Sequence, residues 1–115
     1  GEYLGGAIAP GLETSLEALS KRAARLLKVD VRPPERVIGR STVQSMQSGM
    51  VYGTVGQVDG IVTRLRAELG DPVAVVATGG LGSLITPLSE TIAEHDPQLT
   101  LQGLQRVHEM NAVPR

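Results

Sequence analysis

The central segment Ser41–Leu69 carries the clearest hydrophobic pattern in the chain. It opens on Ser-Thr-Val-Gln, a Ser-x-x-Gln sequence typical of a helix start, where side chains bind the first unpaired amides. Apolar residues then recur every three or four positions, as they do on one face of a helix. These residues are Val51, Val55, Val58, Val62, Leu65 and Leu69. We therefore expect a single helix over Ser41–Leu69, with this stripe packed on a core.

Four glycines form a second stripe on the opposite side of the same predicted helix. They are Gly49, Gly53, Gly56 and Gly60, with the same spacing of three and four residues. Each glycine inside a helix costs about 0.8–1 kcal/mol relative to alanine. A close approach by another backbone would offset that cost. The stripe therefore predicts contact with a second helix or a second subunit.

Shorter elements are expected on either side of the central helix. Before it, the pattern predicts a strand over Tyr3–Ala9 that ends at the turn Pro10-Gly11. A helix follows, opened by the capping box Thr14–Glu17 and reaching about Leu27. A short strand at Val29–Val31 and a rigid connector at Arg32–Arg36 then lead to the central helix. After it, the stop signal Gly70–Pro72 precedes a strand at Val73–Ala77 and a short helix at Ser83–Ile85. A strand at Thr91–Ala93, a turn at His95–Pro97 and a last helix at Thr100–Met110 complete the prediction. This alternation indicates the α/β class.

The apolar run Val73–Ala77 is typical of a strand buried on both faces of a parallel sheet. The few short strands predicted here cannot supply the neighbours that such a strand needs. The sequence also opens without methionine and enters an apolar run at once. We therefore expect residues 1–115 to be one domain, the carboxyl-terminal part of a longer protein.

Composition removes several classes of function. A net charge of -1 and only two aromatic residues, both tyrosine, argue against nucleic-acid binding. Cysteine is absent, so disulfides and thiolate metal sites are excluded. No apolar run is long enough to span a membrane, and a cytoplasmic location is expected. His95 and His108 lack the carboxylate spacing of a metal site and are expected at the surface, so we predict no metal ligands.

A buried strand that runs into Thr78-Gly79-Gly80 could present backbone amides to a nucleotide at the carboxyl edge of a sheet. A purely structural turn explains these residues equally well. The glycines of Gly5-Gly6 could admit a ligand or another backbone. Thr42 either helps to cap the central helix or offers its hydroxyl to a polar ligand. Asp59, inside the same helix, is interpreted first as a polar helix flank and second as a contact with a partner.

Four motifs together resemble type III pantothenate kinase. They are Gly-Gly-Ala-Ile-Ala-Pro-Gly at 5–11, Ser-Thr-Val-Gln-Ser-Met-Gln-Ser-Gly at 41–49 with its glycine stripe, Thr-Gly-Gly at 78–80 and Leu-Thr-Leu-Gln-Gly-Leu at 99–104. The resemblance covers essentially the whole chain, in the order of that family. It implies ATP-dependent phosphorylation of pantothenate, the first step of coenzyme A biosynthesis. It also implies the second ribonuclease-H-like domain of an actin-like ATPase fold.

The resemblance also implies roles for particular residues. Thr42 would contact pantothenate across a homodimer formed through the central helix, while Gly5, Gly6 and Thr78-Gly79-Gly80 would line the nucleotide cleft. The cofactors implied are ATP with a divalent metal, and a monovalent cation such as potassium or ammonium. The Asp-x-Gly-Asn-Thr, Gly-Ala-Asp-Arg and Asp-x-Gly-Thr motifs of the family do not occur here. No catalytic residue is therefore assigned in this chain, and the 115 residues alone are expected to be inactive.

Two other functions remain open at the level of sequence. The first is a non-catalytic relative of the same superfamily, retained as a regulatory or oligomerisation module. The second is a stand-alone helical adaptor that uses the glycine stripe. Catalytic motifs preceding Gly1 in the natural protein would favour the kinase, whereas a monomeric full-length protein would count against the adaptor.

Overall fold

The computed structural model describes residues 1–22, 28–70 and 72–112. Four helices are present in these ranges: α1 at Leu12–Arg22, α2 at Thr42–Leu69, α3 at Gly82–Ile85 and α4 at Leu99–Asn111. A 3-10 turn, Thr86–Leu88, continues α3. Two short strands, β1 at Val76–Ala77 and β2 at Glu94–His95, pair in parallel. The α/β class is thus confirmed.

Helix α2 begins and ends where its sequence predicts. The Ser41 hydroxyl accepts a hydrogen bond from the Gln44 amide at 3.2 Å, and the Gln44 side chain accepts one from the Arg40 amide at 2.9 Å. This is a capping box whose return bond falls one residue before the cap. At the other end, Gly70 adopts a φ of 81° and donates its amide to the Arg66 carbonyl. Glycine adopts such a positive φ at little cost, which explains why the helix ends at this residue.

The apolar stripe of α2 packs on the core, as predicted, along most of its length. Val51 is fully buried and Val55 is 8% exposed. Val55 forms the centre of the core with Leu12 of α1 and Ile85 of α3. Toward the end of the helix the packing weakens, and Leu69 is 51% exposed. Helix α2 therefore holds α1 and α3 together through its first half.

The connector between α1 and α2 is irregular, as its prolines predict, and two buried polar residues of α2 hold it. The Gln47 side-chain amide donates to the Asp30 carbonyl at 3.0 Å, and the Ser48 hydroxyl donates to the Val37 carbonyl. The strand expected at Val29–Val31 does not form. Its backbone is instead held at the Asp30 carbonyl by Gln47, and no strand of the described residues pairs with it.

Two further expectations at the amino-terminal end were wrong, and two others fall on residues outside the described ranges. The strand predicted at Tyr3–Ala9 is absent: this segment is exposed, with Ile8 fully so, because no described strand pairs with it. The box Thr14–Glu17 does not start α1, since the Ser15 amide already bonds to the Gly11 carbonyl and the helix begins at Leu12. Residues 23–27, the expected end of that helix, lie outside the described ranges, as does Asp71 of the stop signal.

The strand predicted at Val73–Ala77 is shorter and less buried than expected. Only Val76–Ala77 pairs, and exposure alternates along the segment, with Val75 and Ala77 half-buried but Val76 45% exposed. Burial on both faces was therefore the wrong expectation. The segment lines a cavity that Val58 and Val62 of α2 also line, so α2 does not pack tightly against it.

The second strand falls later in the sequence than predicted. It forms at Glu94–His95 rather than Thr91–Ala93, in register with β1 through Val76↔Glu94 and Ala77↔His95. The Ala93 amide extends the pairing by donating to the Val75 carbonyl at 3.0 Å. Thr91 is unavailable for strand pairing because its backbone and side chain bind α2, as described below.

Helix α4 forms where predicted, but its apolar residues are not covered. Leu101, Leu104, Val107 and Met110 are 58–84% exposed. They make no core contact within the described part of the chain. No helix among the described residues is long and apolar enough to cross a membrane.

Candidate functional site

The turn Thr78-Gly79-Gly80 lies at the carboxyl edge of the parallel pair, directly after β1. All three residues are exposed. Gly79 adopts a φ of 92°, which side-chain-bearing residues rarely adopt. Its carbonyl accepts the Gly82 amide at 3.2 Å, and the Gly80 carbonyl accepts the Ser83 hydroxyl at 3.2 Å. The turn is therefore a defined structure in the place where α/β sheets bind ligands.

An apolar cavity of about 280 Å³ adjoins this turn. It lies between α2 and β1, and Thr78 and Gly82 stand at its margin. The other lining residues are Val58, Val62, Val75, Val76, Ala77, Leu81, Ile85 and Ile92. Apolar hollows with a few polar groups at the rim are the usual form of small-molecule sites. The lining suits an apolar part of a small molecule.

His95 contacts the turn from the neighbouring strand. Its Nε2 lies 3.0 Å from the Gly79 carbonyl oxygen, and its ring packs so closely on Gly82 that a Cβ there would lie 2.5 Å from Nε2. The sequence placed His95 at the surface without a role, whereas it is half-buried and bonded to the candidate site. Gly82 was the available signal, because a bulky side chain opposite it needs a residue without a Cβ.

Asp59 organises the loop that leads into β2. Its carboxylate accepts hydrogen bonds from the Ser89 hydroxyl at 2.5 Å, the Thr91 hydroxyl at 2.7 Å, and the amides of Glu90 and Thr91 at 3.1 and 3.3 Å. Arg66, two turns further along α2, donates to the Thr91 carbonyl at 3.2 Å. The sequence interpreted Asp59 as a polar flank or a partner contact and did not foresee that it binds this loop. Its signal was an aspartate in a helix interior, where it is a poor helix former.

The pKa of Asp59 reflects these contacts. Partial burial alone would raise it, but the hydrogen bonds from Ser89, Glu90 and Thr91 outweigh that effect and hold the pKa below its ordinary value. Hydrogen bonds to the charged form favour ionisation. Asp59 is therefore a carboxylate occupied in holding a loop.

Thr42 is the first residue of α2 and is exposed. The hydroxyl that caps the helix is that of Ser41, so the expectation that Thr42 helps to cap it was wrong. A second cavity, of about 580 Å³, lies beside this helix start, with Ser41 and Gln44 in its wall. The connector contributes three arginines, Arg32, Arg36 and Arg40, and one acid, Glu35. Thr42 itself does not line this cavity, but the three arginines favour an anion beside the start of α2.

Gly5 and Gly6 stand apart from the turn in the sheet topology. They belong to the exposed segment 1–11, which pairs with neither β1 nor β2, and Gly5 has a φ of 116°. The structure therefore places His95 at the turn Thr78–Gly80, whereas no sheet connects Gly5 and Gly6 to that turn within the described residues. Within the same ranges no group of three or more histidine or acidic side chains could hold a metal ion.

An α/β domain with a glycine turn at its carboxyl sheet edge and an anion-favouring helix start fits a phosphotransferase domain. Comparison with known proteins narrows this class. The family model of type III pantothenate kinase matches residues 1–64, which is more than half of the 115 residues. This chain belongs to the type III pantothenate kinase family.

Individual relatives extend the match to the whole chain. A type III pantothenate kinase of Parafrankia sp. is 56% identical over 115 residues, covering 100% of this chain and 46% of the relative. That of Frankia alni is 57% identical over 111 residues, covering 96% and 44%. That of Moorella thermoacetica is 54% identical over 111 residues, also covering 96% and 44%. The chain thus spans less than half the length of these relatives.

Proposed function

We propose that the intact protein carrying this chain phosphorylates pantothenate with ATP, the first step of coenzyme A biosynthesis. The observation that carries the proposal is the 56% identity to a type III pantothenate kinase over the whole of this chain. The chain would be the second ribonuclease-H-like domain of that enzyme. The cytoplasmic location expected from the sequence belongs to the same proposal.

The reaction would be a direct in-line transfer of the γ-phosphoryl group to the pantothenate hydroxyl. Such transfers depend on positioning and on stabilising charge, with a carboxylate taking the hydroxyl proton. The described residues supply no metal-binding cluster, and the one carboxylate with a lowered pKa, Asp59, is engaged by a loop. We therefore assign substrate contacts to this chain and no catalytic base to the residues that the structure describes. A divalent metal on the phosphates and a monovalent cation, potassium or ammonium, complete the proposed chemistry.

Thr78-Gly79-Gly80 would contact the adenosine part of ATP. The exposed turn and the adjoining apolar cavity of about 280 Å³ support this role. Gly5 and Gly6 would line the other side of the cleft, a role that rests on the family resemblance. Thr42 would contact pantothenate, and the three arginines of the neighbouring cavity suit the carboxylate of that substrate.

The open glycine stripe supports a homodimer through α2. A Cβ added at Gly49, Gly53 or Gly56 would meet no atom within 4 Å, and all three glycines are exposed. Helix glycines that face open space are unexplained by packing within the chain. In the dimer, this side of α2 would lie against the partner and bring Thr42 to the partner's pantothenate site.

Activity is tested by mixing the intact protein with ATP and pantothenate and measuring phosphopantothenate. We expect turnover by the intact protein and none by the 115 residues alone. An intact protein that binds ATP without pantothenate-dependent turnover would contradict the proposal and favour the non-catalytic module. Phosphorylation by the isolated 115 residues would contradict the assignment of catalytic groups outside this chain.

The nucleotide contact is tested by Gly80→Val. A Cβ at Gly80 would meet no atom within 4 Å, so the free turn tolerates a side chain there. A nucleotide on the turn would collide with it, and we expect the KM for ATP to rise at least tenfold. Ala18→Val, on the exposed side of α1, is the matched control. Equal KM values for the two variants would remove the turn from the nucleotide site.

A further inference from the structure

We infer that His95 is the positioning residue that aims the Gly80 amide at the nucleotide. The inference rests on the nucleotide contact proposed for the turn and adds a residue, with a mechanism, to it. His95 is the last residue of β2 and lies in register with Ala77, the last residue of β1. Its side chain therefore starts beside the point where the chain enters the turn.

Two contacts fix the imidazole ring in place. Nε2 lies 3.0 Å from the Gly79 carbonyl oxygen, and the ring face fills the space that a side chain on Gly82 would occupy. Because a carbonyl oxygen only accepts hydrogen bonds, Nε2 is the protonated nitrogen. The bond forms with neutral histidine and with imidazolium alike.

The Gly79 carbonyl has a second donor, the Gly82 amide at 3.2 Å. With two donors on one oxygen, the peptide plane between Gly79 and Gly80 has a fixed orientation. In a trans peptide, the carbonyl and the following amide point in opposite directions. The Gly80 N–H is therefore directed away from His95, on the exposed side of the turn.

Without the histidine, the Gly82 amide alone would hold this peptide. Gly79 has a φ of 92°, and glycine readily occupies both halves of backbone space. The other bonds of the turn, from Gly82 and Ser83, come from α3, which has only four residues. His95 supplies the one bond that ties the turn to the sheet among the described residues. It positions a donor for the ligand without touching the ligand itself.

The test compares His95→Leu with His95→Gln in the intact protein. Leucine keeps the apolar packing on Gly82 but donates no hydrogen bond, whereas glutamine places a donor near the position of Nε2. We expect His95→Leu to raise the KM for ATP about three- to tenfold, the effect of one hydrogen bond. We expect kcat and the KM for pantothenate to stay within about twofold. His95→Gln should restore most of the ATP affinity.

Two further variants keep the test decisive. His108→Leu removes the other imidazole of the chain, which is exposed on α4, and should change nothing. Gly82→Ala should act like His95→Leu, because its Cβ would displace the ring.

The outcomes separate this inference from the nucleotide contact itself. If His95→Leu matches His108→Leu while Gly80→Val still raises the KM for ATP, His95 has no positioning role and the nucleotide contact stands. If His95→Leu lowers kcat and thermal stability and raises both KM values to a similar extent, His95 is a purely structural residue. If neither His95→Leu nor Gly80→Val changes the KM for ATP, both proposals are overturned.

Discussion

On one side of α2, Val51 and Val55 are buried and Asp59 binds a loop, whereas on the other side Gly49, Gly53 and Gly56 face open space. Both sides follow the same helical spacing. The packed side uses bulky apolar groups and one carboxylate to organise this chain. The open side contacts no other element among the described residues. One repeat of the helix therefore serves the core of this chain, and the second repeat is free for the partner helix proposed above.

The largest effect is expected on the open side, from Gly56→Leu. If two α2 helices meet there, a leucine side chain separates them, and we expect the dissociation constant of the dimer to rise at least a hundredfold. Within one subunit the position is open, so the fold should be unaffected. Sedimentation of the intact protein measures the first effect and urea unfolding the second.

Ala18→Leu adds comparable bulk to an exposed position on α1 and serves as the control. It should leave the dimer intact. A Gly56→Leu protein that remains as dimeric as this control would mean that the glycine side of α2 is not the subunit contact.

A somewhat smaller effect is expected on the packed side, from Asp59→Ala. The substitution leaves the hydroxyl groups of Ser89 and Thr91 and two loop amides without their acceptor. Hydrogen bonds to a charged group contribute about 1.5–3 kcal/mol, and we expect a loss of about 2–3 kcal/mol in the free energy of unfolding. Urea unfolding at neutral pH measures it. A loss below about 0.5 kcal/mol would contradict the role of Asp59 in the loop.

The same residue predicts a pH dependence. The pKa of Asp59 is lower in the folded protein than in the unfolded chain, so folding favours its charged form. Its contribution is complete above the unfolded pKa of about 3.9 and is lost as the pH falls through the lower folded pKa. The stability difference between the wild type and Asp59→Ala should therefore narrow below about pH 4. A constant difference down to pH 2 would contradict this.

The smallest effect is expected at the start of α2, where neighbouring residues have different surroundings. Ser41 caps the helix, and Ser41→Ala should cost about 1 kcal/mol of stability. Thr42 is exposed and does not cap, so Thr42→Ala should leave stability within about 0.3 kcal/mol while raising the KM for pantothenate. Equal stability losses in the two variants would show that both residues serve the helix.

Local patterns were sufficient to predict α2 and α4. The periodicity of each helix lies within its own segment, and α2 also has its own end signals, Ser41 and Gly70. The strands were predicted less well, because a strand exists only beside a partner. Val73–Ala77 has a strong apolar run, but its pairing is limited by β2, and Tyr3–Ala9 has no described partner at all.

The candidate site was predicted only in part for a related reason. The turn at Thr78–Gly80 is visible in sequence because glycines mark it. The residues that hold the turn and its loop are separated from their partners by long stretches of chain, His95 from Gly79 by 16 residues and Asp59 from Ser89 by 30. Contacts of this kind depend on the packing of α2 against the sheet. No local pattern encodes them.

The connector before α2 has a consequence for how this protein can change. Gln47 and Ser48 hold it through the carbonyl groups of Asp30 and Val37, which any residue at those two positions would offer. The side-chain identity needed for these two hydrogen bonds therefore lies in Gln47 and Ser48 of α2. The connector contributes only backbone carbonyl groups. Substitutions along Arg32–Arg36 can alter the charge beside Thr42 without loosening the attachment. Along this stretch, the charge near the start of α2 can vary at low structural cost.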